Sequence, residues 1–123
     1  MKVLVVDDSR AIRVIIKKIL EEMGFQVLEA EHGQTALHVL EGNSDIVLMM
    51  VDWNMPVMNG LDLIKAVRKE GTHKDMWIMM VTTETEMDNM AKAMVAGANE
   101  YVMKPFTKEI IQEKIKILGL VNP

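Results

Sequence analysis

Residues 46 to 52 read Ile-Val-Leu-Met-Met-Val-Asp, six apolar residues in a row followed by one carboxylate. A strand with one face in water alternates apolar and polar residues, whereas a strand covered on both faces is apolar throughout. This stretch therefore predicts the central strand of a parallel sheet with helices on both faces, and it places Asp52 at the carboxyl end of that strand.

Four further strands are predicted around this one, at residues 3–6, 26–30, 77–81 and 100–103. Apolar residues recur at helical spacing between the strands, with glycines where the periods stop. The clearest period predicts a helix capped by Ser9 and ended by Gly24, with an apolar face of Ile12, Ile15, Ile16, Ile19, Leu20 and Met23. Strands and helices that alternate in this rhythm predict a five-stranded, doubly wound parallel α/β fold.

Composition narrows the possible functions. The chain has 123 residues, a net charge of -4 and no cysteine. We expect a single domain over residues 1–123 with no output domain, located in the cytoplasm. An acidic chain lacks the basic stripe that nucleic-acid binding needs, and no apolar run reaches the roughly 18–20 residues of a membrane helix. Disulfides and cysteine metal sites are excluded.

The residues that follow the predicted strands carry the chemistry. Ligands of open α/β sheets bind at the carboxyl ends of the strands, next to the point where the strand order reverses. The polar residues at those ends are Asp7, Asp8, Asp52, Thr82, Thr83 and Lys104.

Three carboxylates close together repel one another, so we expect at least one raised carboxyl pKa among them. Lys104 supplies one positive charge, and a hard divalent cation such as Mg²⁺ would supply the rest. A carboxylate beside a metal, an ammonium group and a hydroxyl can act as a nucleophile toward a phosphoryl group. Asp52 is the best candidate, because it stands alone at the end of the central strand.

Four motifs resemble those of one family. They are Asp7-Asp8, Asp52-Trp53-Asn54-Met55-Pro56 with Gly60, Val81-Thr82-Thr83-Glu84, and Lys104-Pro105-Phe106. In order and spacing this set is similar to the receiver domains of two-component response regulators, and it is most similar to the stand-alone chemotaxis regulators of the CheY type. The resemblance implies the strand order 2-1-3-4-5 and a cis peptide bond at Lys104-Pro105.

The resemblance also implies a role for each site residue. Asp52 would accept the phosphoryl group. Asp8, Asp52 and the backbone carbonyl of Asn54 would bind Mg²⁺ directly, while Asp7 would act largely through water. Lys104 would bind one phosphoryl oxygen.

A switch is implied by two further residues. Thr82 would bind a second phosphoryl oxygen in the active state, and the Tyr101 ring would turn inward as Thr82 moves. Thr83 departs from the small residue usual at its position, so it joins Asn54 and Glu84 among the residues expected to tune hydrolysis of the phosphate.

The implied partners are a histidine kinase as phosphodonor and an output protein, foremost a flagellar motor switch protein, on the face formed by residues 87–118. A phosphatase is an additional candidate partner. The chain would phosphorylate and dephosphorylate itself rather than turn over a substrate. The alternatives are a phosphorelay shuttle, a regulator of another partner and a Mg²⁺-dependent aspartyl phosphatase; the last usually has Asp-x-Asp after its first strand, where this chain has Asp7-Asp8-Ser9.

The three histidines, His32, His38 and His73, show no ligand spacing. We expect all three on the surface and the phosphorylated histidine on the partner.

Overall fold

The computed structural model describes residues 1–83 and 88–120. Strands and helices alternate along the whole of this range, as the sequence predicts. The elements are β1 (Lys2–Val6), α1 (Arg10–Glu22), β2 (Gln26–Ala30), α2 (Gly33–Glu41), β3 (Ile46–Asp52), α3 (Gly60–Glu70), β4 (Trp77–Thr82), α4 (Met90–Ala96), β5 (Glu100–Met103) and α5 (Lys108–Ile117).

All five strands are parallel and lie in the order β2-β1-β3-β4-β5. This confirms the predicted fold. The chain first builds outward from β1 to β2 and then crosses to β3, so the direction of winding reverses between β1 and β3. The carboxyl ends of these two neighbouring strands form the crevice in which such sheets bind ligands.

Each face of the sheet has its own core. Alternate residues of a strand point to opposite faces, so Met49 packs with α2, α3 and α4 while Met50 packs with α1 and α5. The same division holds on β4, where Met80 belongs to the first cluster and Met79 to the second. All four methionine side chains are fully buried.

The ends of α1 agree with the sequence pattern, although one side chain of its predicted face does not. The Ser9 hydroxyl accepts a hydrogen bond from the backbone N–H of Ile12 at 3.3 Å, and Gly24 has a φ of 93°. Ile15, expected in the core, is 48% exposed. It lies about a quarter of a turn from the centre of the buried stripe, because successive residues rotate by about 100°.

His73 also corrects an expectation. It is buried rather than at the surface, and its Nε2 lies 3.2 Å from the backbone carbonyl oxygen of Asn43. The turn between α3 and β4 brings this ring to the loop after α2, where a proton on Nε2 can donate to that carbonyl.

The sequence predicts a fourth helix with Met87, Met90, Ala91 and Met94 on one face. Met87 lies outside the described residues, and α4 begins at Met90. Within residues 1–83 and 88–120, no helix is both long and apolar enough to cross a bilayer.

Candidate functional site

The structure brings together the three carboxylates that the sequence places at strand ends. Asp7 and Asp8 follow β1 and Asp52 ends β3, and one oxygen from each lies within 4.8 Å of the others. Asp7 and Asp52 are buried, whereas Asp8 is exposed. The cluster therefore has a protected side within the sheet and an open side toward solvent.

Asp7 is held from several directions. Its Oδ1 accepts a hydrogen bond from the Ser9 N–H at 2.9 Å, and its N–H donates to the Ala30 carbonyl at 3.1 Å. Arg13 of α1 donates through Nη1 to the Asp7 carbonyl at 2.6 Å, and its Nε lies 3.1 Å from Oε1 of Glu29. These contacts fix the loop between β1 and α1, and with it the positions of both acidic residues.

Lys104 brings a positive charge to the cluster from the end of β5. Its Nζ lies 3.1 Å from Oδ1 of Asp52 and 3.5 Å from Oδ2 of Asp7. The backbone N–H of Lys104 donates to the Thr82 carbonyl at 2.6 Å. The Lys104–Pro105 peptide bond is cis, as expected. With all three carboxylates ionised, one ammonium leaves the cluster with an excess of negative charge.

The pKa of Asp52 is raised from 3.8 to about 6. Burial is the main cause and the charge of Asp7 is the second, while Lys104 and the Asn54 N–H act in the opposite direction. A raised carboxyl pKa was expected, although from repulsion between carboxylates rather than from burial. For Lys104, burial lowers the pKa, but Asp52 and Asp7 outweigh it and the net shift is upward.

The loop that follows Asp52 packs closely against it. Gly60 donates its N–H to the Trp53 carbonyl at 3.0 Å, and a Cβ at Gly60 would lie 2.7 Å from the Asp52 carbonyl oxygen. Only a glycine permits so close an approach. Val57 at the tip of the loop is fully exposed and has a φ of 68°.

The remaining predicted residues surround this cluster at varying distance. Thr82 is fully buried at the end of β4, and its hydroxyl donates to the Thr83 carbonyl at 3.4 Å. Thr83 is half-buried, and the side chain of Asn54 is exposed. Tyr101 is half-buried on β5. It pairs with Met80 of the neighbouring strand β4, and Thr82 lies two residues further along β4, toward the site. Glu84 lies outside the described residues.

The donor set fits a hard cation. Carboxylate oxygens are ligands that Mg²⁺ prefers, and a site with few carboxylates leaves room for its waters. The excess negative charge and the open side at Asp8 are consistent with such an ion.

This fold, with an acidic cluster at its crevice and a lysine from the last strand, is the architecture of a phosphoryl-accepting switch. The model of the response regulator receiver domain family matches residues 3–116. The chain belongs to this family, so it is a phosphorylation-activated switch of two-component signalling.

Relatives cover nearly the whole chain. It is 50% identical over 121 residues to "Chemotaxis protein CheY homolog" of Campylobacter jejuni, covering 97% of this chain and 93% of the relative. It is 47% identical over 119 residues to "Chemotaxis protein CheY1" of Helicobacter pylori, covering 96% of each. The solved structure of chemotaxis protein CheY4 of Vibrio cholerae has a TM-score of 0.88 and 34% identity, covering 94% of this chain and 96% of that one.

Sequence reasoning overlooked Arg13. The available signal was a basic residue one position after Ile12, within the first two turns of a helix that begins next to two aspartates. Its contact with the Asp7 carbonyl becomes visible only when α1 is packed against the sheet.

Proposed function

We propose that Asp52 accepts a phosphoryl group from a phosphohistidine of a partner kinase. A new bond forms between an Asp52 carboxylate oxygen and phosphorus as the phosphorus–nitrogen bond of the donor breaks, and the donor imidazole keeps the electron pair. The observation that carries this proposal is the position of Asp52, buried at the end of the central strand with Lys104 Nζ 3.1 Å from Oδ1. Lys104 neutralises charge that develops on the phosphoryl oxygens.

Mg²⁺ is the proposed cofactor. Asp8, Asp52 and the backbone carbonyl of Asn54 would hold it directly, with Asp7 acting through water. When bound, the ion neutralises phosphoryl oxygens and offsets the negative charge of the cluster. The hydrogen bonds of Asp7 support an indirect role for it. Both of its carboxylate oxygens already accept hydrogen bonds, one from Ser9 and one from Lys104.

The signal is proposed to leave through Thr82 and Tyr101. Thr82 would bind a phosphoryl oxygen, and the Tyr101 ring would then move into the space that Thr82 vacates. The partner surface would be the face at 87–118, where apolar side chains are exposed: Met94, Val95, Met103 and Ile110. Lysines flank these side chains, although Lys108 is engaged with Glu22 at 2.7 Å, which leaves Lys92 and Lys116 as the better partner contacts.

The proposed role is control of flagellar rotation in chemotaxis, in the cytoplasm, with a motor switch protein as the output partner. The support comes from relatives 47–50% identical over nearly their whole length, which are chemotaxis proteins by name. Deleting the gene in its host should leave cells motile but unable to change direction. Cells that still reverse normally would point to a shuttle or to another output.

The decisive experiment is labelling with acetyl phosphate and Mg²⁺. The protein should gain one phosphoryl group, and Asp52→Asn should abolish the gain as measured by intact mass. Asp75→Asn is the matched control, because Asp75 is an exposed aspartate in the turn before β4. Unchanged labelling of Asp52→Asn would overturn the assignment, and rapid consumption of many equivalents of donor would indicate a phosphatase instead of a switch.

We also propose that Thr83 narrows access to the phosphoryl group. It is half-buried directly after Thr82, and its branched side chain takes space that a smaller residue would leave to solvent. It would tune the rate of phosphoryl loss together with Asn54 and Glu84.

A further inference from the structure

Three residues form an edge cluster outside the phosphoryl-accepting site: Glu100 and Tyr101 of β5 and Lys114 of α5. Strand β5 lies at the edge of the sheet. Tyr101 packs against the core shared with α4, whereas its neighbour Val102 belongs to the core shared with α5. The Tyr101 ring and α5 are therefore associated with opposite faces of the sheet, and Lys114 reaches around its edge.

The contacts within the edge cluster are specific. Nζ of Lys114 lies 3.0 Å from Oε1 of Glu100 and 4.7 Å from the centre of the Tyr101 ring. The same Glu100 oxygen accepts a hydrogen bond from the Tyr101 N–H at 2.9 Å. Oε1 of Glu100 thus aligns the Lys114 ammonium group over the Tyr101 ring. The same oxygen is held in place by the backbone N–H of Tyr101.

Partial burial strengthens this arrangement. The side chains of Lys114 and Glu100 are only 25% and 19% exposed, so water screens their charges less than at an open surface. A cation over the face of an aromatic ring is attracted by the negative charge density of that face.

We propose that Lys114, aligned by Glu100, is a positioning residue that holds the Tyr101 ring at the sheet edge and so limits how often the unphosphorylated protein adopts its active arrangement. This inference rests on the proposed role of Tyr101 as the switch. When the ring moves along the sheet toward Thr82, Glu100 stays attached to the Tyr101 backbone and keeps Lys114 with it. The ring leaves the ammonium behind, and the contact is lost.

The expected size of the effect follows from the contact. A cation–π contact of about 0.5–1 kcal/mol corresponds to a two- to five-fold change in the population of the active arrangement. A ligand that selects a minor state binds more tightly in proportion to the population of that state. Removing the Lys114 charge should therefore lower the half-saturating concentration of beryllofluoride, a phosphate mimic, by about two- to five-fold.

The sign of this change separates positioning from simple electrostatics. Loss of a positive charge weakens the attraction for an anion, so an effect of charge alone would raise the half-saturating concentration. The proposal predicts the opposite for Lys114→Met, which keeps the aliphatic stem. Lys114→Arg should restore the wild-type value, because a guanidinium also stacks on aromatic rings. Lys69→Met, at an exposed lysine on α3, is the control.

The experiment uses the single tyrosine of the chain. Replacing it with 3-fluorotyrosine gives one fluorine resonance, which reports the ring while beryllofluoride is titrated in the presence of Mg²⁺. In a Tyr101→Ala background, followed by tryptophan fluorescence, to which Trp53 next to Asp52 contributes, Lys114→Met should no longer tighten binding, because the ring it acts on is gone.

The outcomes distinguish the two proposals. A wild-type fluorine resonance that does not move at saturating beryllofluoride would overturn the Tyr101 switch, and the positioning role with it. If that resonance moves but Lys114→Met binds beryllofluoride no more tightly than wild type, the switch stands and the positioning role is overturned. The positioning role is likewise overturned if Lys114→Met tightens binding equally well without the Tyr101 ring.

Discussion

Asp52 illustrates how burial and charge oppose each other in a single side chain. Its carboxyl group loses most of its contact with water at the end of β3, and the charge of Asp7 adds to the cost of ionisation. Lys104 at 3.1 Å offsets only part of that cost, so the pKa stays near 6. A nucleophile that is costly to ionise in the unliganded protein gains from a cation, because the cation favours the ionised form.

This raised pKa predicts how stability depends on pH in the absence of metal. The folded-state pKa of Asp52 is about 6 and its ordinary value is 3.8, so the protonated carboxyl stabilises the fold below about pH 4. That contribution is lost as the pH rises through 6. We expect a loss of about 2 kcal/mol in the free energy of unfolding, since 1.36 kcal/mol per pKa unit sets the upper limit and solvent screens part of it.

Urea denaturation in EDTA between pH 4 and 7.5 measures this loss. Asp52→Asn should lack the component, because an amide does not titrate in this range. Identical pH profiles for wild type and Asp52→Asn would contradict the assignment of the raised pKa to Asp52.

The exposed carboxylate of Asp8 leads to a second prediction at this scale. Mg²⁺ should raise the melting temperature by mass action, and a tenfold excess over the dissociation constant is worth about 1.4 kcal/mol, or about 5 °C. Asp8→Ala should abolish the response and, without Mg²⁺, should melt slightly above wild type because one repelling charge is gone. Asp75→Ala, a control at another exposed aspartate, should keep the full response. A wild-type melting curve that does not move at millimolar Mg²⁺ would refute the metal site.

Helix α4 is anchored at its C-terminal end by Arg68 of α3. At its C-terminal end, Nε and Nη2 of Arg68 donate to the Gly97 carbonyl at 3.1 and 2.9 Å, and Nη1 donates to the His73 carbonyl at 3.1 Å. At its N-terminal end, Asn89 makes no side-chain capping bond. The helix is thus fixed near Gly97.

Gly97 makes this anchorage testable. Its φ is 124°, and a Cβ there would lie 2.6 Å from Cγ of Arg68. Gly97→Ala should therefore lower the free energy of unfolding by about 2–3 kcal/mol, through backbone strain and displacement of Arg68. Gly119→Ala is the matched control: its φ is 76°, but among the described residues no atom beyond its chain neighbours lies within 4 Å of the new Cβ, so only the backbone cost of about 1 kcal/mol applies. Equal losses for the two variants would show that the contact with Arg68 contributes nothing.

At the scale of the whole molecule, the sheet order explains which parts of the fold and of the site could be predicted from the sequence. The continuous apolar run of β3 and the helical periods predicted the fold, and parallel strands necessarily bring Asp7, Asp8 and Asp52 to one edge. Arg68 and Lys114 could not be predicted, because their partners at Gly97 and Tyr101 lie on other elements and depend on packing. The burial of His73 was missed for the same reason. Its partner is the backbone carbonyl of Asn43, and a backbone group is present at every residue, so the sequence does not indicate which one pairs with the ring.

The route of the signal is a prediction for the whole molecule. Amide chemical shifts measured with and without beryllofluoride should change most at the loops of the acidic cluster and around residues 82–116. They should change little in α2 and along α1 away from the site, because those helices do not follow the strands that end at Thr82 and next to Lys104. An even spread over the chain, or changes confined to the neighbours of Asp52, would refute this route.

The four buried methionines of β3 and β4 offer a view of this route from inside the protein. Carbon-13 labelling of their terminal methyl groups would place Met49 and Met80 as reporters in the layer facing α4, and Met50 and Met79 in the layer facing α5. An unbranched thioether side chain repacks readily when its surroundings shift. A change that passes through α4 would therefore alter the first pair of methyl signals more than the second, so one spectrum could assign the motion to a layer of the domain.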